Sequence, residues 1–186
     1  MTKWVYETSQ PMHWWWCFLH LTINDSIQCM NDKVTKKIGE SYSFSQVLDS
    51  TYSKNQLVFR ELLGDMCTQI EAVCSEQKTV LAGVCAEAGT TDTLKAKVEK
   101  TTSKINSMAE MYVGDDWNDA AEVLEWMSFF VGGAIVHWQL IAGAGAEMKH
   151  ETLTDAATTG VAFYESLMEQ LKTAATTIGT ERASAA

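Results

Sequence analysis

The chain has 186 residues, a hydrophobic fraction of 46% and a formal net charge of -10. That length supports one domain with a full hydrophobic core. The acidity, with arginine only at Arg60 and Arg182, argues against nucleic acid as a partner, because phosphate binding relies on clustered cations.

The first ten residues are a polar lead and do not read as a secretory signal. Pro11 suits the first position of a helix. The spacing of Met12, Trp16, Leu19, Ile23, Ile27, Met30 and Val34 predicts a helix from Pro11 to Ile38, closed by Gly39. Trp14, Trp15 and Trp16 are consecutive. At about 100° per residue they cannot share one core face, so Trp16 is expected in the core and Trp14 and Trp15 at an interface. Glu40 to Asn55, rich in serine and aromatics, reads as the longest loop and as a loop with a role.

A second helix is predicted from Gln56 to Ala88, capped by Asn55, with Gly89 beyond its end. Phe59, Leu63, Met66, Ile70, Val73, Gln77, Val80 and Val84 form a heptad seam whose one polar member is Gln77. A third helix, Asp92 to Val113, carries Leu94, Val98, Thr101, Ile105, Met108 and Tyr112 in the same manner. The short link between the two suits an antiparallel hairpin.

The most apolar stretch, Trp126 to Ala146, has 21 residues and no formal charge. It lies in a helix expected from Asp119 to Met148. It is long enough to cross a bilayer, but His137, Gln139 and four glycines favour the central helix of a bundle. Thr152 and Asp155 resemble a capping pair for a last helix that Gly179 would stop. The expected architecture is thus all-α: an antiparallel bundle of about five long helices around an apolar central helix. The single domain spans residues 11–179, with a flexible tail at 180–186.

No catalytic set is complete. A carboxylate-bridged metal bundle needs paired Glu-x-x-His motifs; Glu147 and His150 supply one, and there is no second. His13 and His20 stand about 10 Å apart along a helix, too far for one metal. Neither a metal nor a cofactor is therefore expected. The five cysteines are odd in number and form no Cys-x-x-Cys pair, which suits free thiols in an intracellular, cytoplasmic setting.

Three short strings resemble the Bcl-2 family: SYSFSQ after the first helix, LLGDM in the second and FFVGGA in the central one. The family's Asn-Trp-Gly-Arg motif is replaced by Asp116-Trp117-Asn118-Asp119. The resemblance implies an apoptosis regulator and transfers no site residues. The expected function is non-enzymatic association, by self-association or by binding a partner helix in a groove. The alternative is a cofactor- or small-ligand-binding bundle using His137, Glu147 and His150.

Overall fold

The computed structural model describes residues 30–185. Its elements are α1 (Asp32–Lys54), α2 (Gln56–Leu63), a 3-10 turn (Gly64–Met66), α3 (Cys67–Glu87), α4 (Thr91–Tyr112), α5 (Ala120–Glu147) and α6 (Glu151–Ser184). No strand occurs among the described residues. The five long helices form the expected antiparallel all-α bundle. The residues from Pro11 to Cys29, including Trp14, Trp15, Trp16, His13 and His20, lie outside the described ones, and the expectations placed on them with them.

Helix α1 corrects three expectations: it starts at Asp32, so no single helix runs from Pro11 to Ile38; Gly39 does not close it; and the stretch from Glu40 is not a loop. Asn31 caps it, its side chain accepting from the amides of Lys33 and Val34 at 2.9 and 3.1 Å. The helix then runs through Gly39 and through the whole serine-rich stretch to Lys54. Gly39 is a contact rather than a cap: a Cβ there would stand 2.9 Å from Cγ of Lys97 on α4. The serines are interior positions. Ser41, Ser43 and Ser45 are fully buried. Ser43 donates to the carbonyl of Gly39 at 2.8 Å, one turn back, which satisfies the hydroxyl without breaking the helix. Ser45 donates to Gln77 Oε1 at 2.6 Å, so the polar member of the predicted seam is matched across the core.

The second predicted helix is broken in two. Gly64 takes φ 53° and the 3-10 turn redirects the chain before α3 begins. Asn55 stands at the α1–α2 junction but does not cap α2 through its side chain; its Nδ2 donates to the carbonyl of Thr51 at 3.0 Å and closes α1 instead. Phe59, Leu63, Ile70, Gln77 and Val84 of the seam are buried.

Helix α4 follows the predicted span closely, but packs mainly on α1 and touches α3 little. Its seam is half open: Leu94 and Ile105 are buried, whereas Met108 and Tyr112 are exposed. Between α3 and α4, above α1, lies a wide trough of about 1100 Å³, floored by Leu94 and Val98.

Asp119 caps α5, accepting from the amides of Ala121 and Glu122. The helix packs most extensively against α6 and is also contacted by α1, α2 and α4. Trp126, Met127, Val131, Ala134, Trp138 and Ile141 are its buried face. It is long and apolar enough to cross a membrane, and 33% of its most apolar window is buried. The last helix is capped by His150 rather than by Thr152, and it passes Gly179 to end at Ser184. Nothing about Gly179 stops it, because glycine weakens a helix without forbidding it.

Candidate functional site

Three helices each contribute a stripe to one cleft. On α1, Glu40 and Phe44 stand one turn apart; on α4, Lys97, Thr101, Lys104, Ile105, Met108 and Tyr112 recur three and four apart. On α5 the stripe is Trp126, Phe129, Phe130, Gly133 and His137. The cleft holds about 310 Å³. Its walls are aromatic. Phe44 stands 5.2 Å from Phe130 and 5.1 Å from His137 between ring centres, Trp126 stacks on Phe130 at 5.0 Å, and Tyr112 meets Phe129 at 5.2 Å. Gly133 makes room for this: a Cβ there would stand 3.3 Å from Cζ of Phe44.

One end of the cleft is polar. The Glu40 carboxylate receives Lys37 Nζ at 2.7 Å and also the ammonium of Lys97. His137 Nδ1 lies 3.0 Å from Glu40 Oε2, yet it makes no aligned hydrogen bond. The carboxylate therefore sits off the Nδ1–H direction, and the contact is proximity rather than a formed bond. Burial alone would push the Glu40 carboxyl up. Hydrogen bonds from Lys37 and Lys97, with the charges of Lys97 and His137, outweigh burial and hold it below its ordinary value. Burial lowers His137, against the opposing pull of Glu40, so the imidazole is neutral at pH 7.

The three residues expected to form a ligand site are not brought together. His137 lines the cleft. Glu147 is exposed at the far end of α5, ten residues and about 15 Å away along the helix. His150 is engaged in capping α6, its Nδ1 accepting from the amide of Leu153 at 3.4 Å. Among the described residues no group of three or more His, Cys, Asp or Glu converges as a metal site would require.

Glu40 and Lys97 were not among the residues expected at the site. The assignment of Glu40 to a loop hid them, since Lys37, Glu40 and Phe44 share a face only if the helix continues past Gly39. Cys67, Cys74 and Cys85 are buried. Burial raises all three thiols, that of Cys74 to about 12, so they act as small core hydrophobes rather than as nucleophiles.

The outer edge of the cleft is apolar. Met108, Met111, Tyr112, Phe129, Val136 and Leu140 are exposed, and with Leu57 they are the large hydrophobic side chains so exposed among the described residues. Phe129 is 60% and Met111 77% exposed. Val136 and Leu140 do not line the cleft; they form an outward stripe beside it. Of the strings that resemble the Bcl-2 family, SYSFSQ lies within α1 rather than in a loop. LLGDM spans the end of α2 and the 3-10 turn, and FFVGGA lies on α5 and contributes Phe129, Phe130 and Gly133 to the cleft. Comparison with known proteins finds no matching family model, no similar curated protein and no similar solved structure.

Proposed function

We propose that the protein acts by association rather than by chemistry, presenting the α4–α5 edge to an amphipathic helix of a partner protein. The observation that carries this reading is the concentration of exposed large hydrophobics on that one edge. Scattered exposed apolar residues mean little, whereas a contiguous set marks an interaction surface. Phe129 and Tyr112 join the two helices of the edge, and the stripe continues along α5 to Val136, two turns on, and Leu140, three turns on. A partner helix would meet it through residues three and four apart.

The charge beside the stripe describes the partner further. Lys97, Lys100 and Lys104 follow one another along α4, in a protein whose net charge is -10. An acidic flank on the partner helix complements this row. A Bcl-2-like regulator would be a special case of the same binding.

The test is selection from a displayed library of helical peptides, using the full chain as bait and Leu140→Asp as counter-bait. Recovered peptides are expected to carry an apolar stripe with acidic neighbours. They should bind the Leu140→Asp and Phe129→Asp proteins at least about tenfold more weakly, with helical content unchanged. Peptides that bind wild type and both variants equally would refute the reading. A concentration-dependent dimer in sedimentation, abolished by Leu140→Asp, would assign the edge to a second copy of this chain and replace the partner helix.

A further inference from the structure

We infer that the cleft between α1, α4 and α5 is a binding site for a small amphipathic carboxylate, of the class of medium-chain fatty acids. Its apolar tail would lie among Phe44, Ile105, Met108, Trp126 and Phe130, and its carboxylate would meet Lys97 and Lys104. The volume, about 310 Å³, falls in the range of small-molecule sites, which combine apolar walls with a few convergent polar groups. The walls here are aromatic along most of their length, with Glu40, Lys97 and His137 at one end and Lys104 two turns further along α4.

The sign of the charged lining selects the ligand. Two lysines, Lys97 and Lys104, line the cleft with one carboxylate, Glu40, which Lys37 also engages from beside it. His137 is neutral at pH 7, so it does not change the balance. Glu40 engages Lys37 and Lys97, while Lys104 makes no ion pair among the described residues. A local excess of positive charge inside a strongly acidic chain is not a solubility feature. It leaves charge-assisted donors beside an apolar slot, and a ligand carboxylate would engage them. A neutral alcohol with the same tail would forgo that interaction, and an alkylammonium would be repelled.

This inference does not rest on the partner-helix reading. Val136 and Leu140 belong to the outer stripe and do not line the cleft, so the two can fail separately. The experiment is calorimetric titration of the full chain with decanoate, decanol and decylamine below their micellar concentrations. Decanoate is expected to bind saturably at about one per chain, roughly tenfold or more tighter than decanol, with decylamine weakest. Lys104→Gln, at an exposed position safe for folding, should weaken decanoate by about tenfold and leave decanol unchanged. Ile105→Trp, which fills the slot, should abolish both. Val136→Asp should leave decanoate binding as in wild type. Absence of saturable decanoate binding, equal affinity for decanol, or indifference to Lys104→Gln would each overturn the inference. So would loss of decanoate binding in Val136→Asp, which would place the ligand on the outer stripe instead.

Discussion

Gly39 of α1 and Lys97 of α4 are in direct apposition: a Cβ on Gly39 would stand 2.9 Å from Cγ and 3.0 Å from Cβ of Lys97. The bare backbone at Gly39 lets α4 come down on α1. That approach brings the Lys97 ammonium to the Glu40 carboxylate one residue further on. Gly39→Ala tests the relationship. Alanine would favour the helix by about 0.5–1 kcal/mol, but its methyl meets the root of a side chain rather than a flexible end. The expected net effect is a destabilisation of about 1–2 kcal/mol, read as a lower denaturant midpoint. A gain in stability would show that α4 can lift without loss.

Gly160 of α6 makes a tighter approach, to the fully buried indole of Trp138 on α5. A Cβ there would overlap the ring, and a buried indole has nowhere to turn in a close-packed core. Gly160→Ala should therefore cost about 3 kcal/mol or more, well beyond Gly39→Ala. Thermal unfolding of the two variants side by side checks the order.

The Glu40–His137 pair predicts loss of stability in acid. Glu40 titrates below its ordinary 4.5 in the folded chain and His137 below its ordinary 6.5. In each case the unfolded chain takes up the proton first. The stabilisation is thus complete above the ordinary value and lost as pH falls through the folded one. The decline begins below about 6.5 with His137 and deepens below about 4.5 with Glu40. His137→Gln should flatten the upper part of the decline. Glu40→Gln should flatten the lower part, and should also lower stability at neutral pH by leaving Lys37 and Lys97 without their carboxylate. A midpoint independent of pH across the upper range in wild type would refute the assignment to His137.

Lys149, in the turn between α5 and α6, has φ 53°, a left-handed conformation unfavourable to a residue with a Cβ. Lys149→Gly should stabilise the fold by about 0.5–1 kcal/mol, the relief of strain exceeding the extra freedom glycine gives the unfolded chain. Denaturant unfolding at matched pH measures it, and a destabilisation would show that the lysine side chain makes up for its strain.

The sequence by itself determined what is local. Periodicity of three and four residues gave helices wherever the structure has them, from α2 onward, and the all-α class followed. Gly89 as a helix end and the span of the apolar helix were legible because left-handed turns and long apolar runs depend on adjacent residues. Tertiary structure decided whatever depends on segments far apart in the chain. Gly39 reads as a helix end until α4 is seen resting on it, and Gly179 reads as a stop although the helix passes it. The serines after Gly39 read as a loop because isolated serines favour turns. In the core the hydroxyls of Ser43 and Ser45 bond back to the helix, and the small size of the serines lets α3 and α4 close in. The cleft itself could not be read at all. Glu40, Lys97 and His137 come from three helices, and no spacing within one chain segment encodes their meeting. Which stripe of α5 is left open is likewise set by where α4 stops covering it.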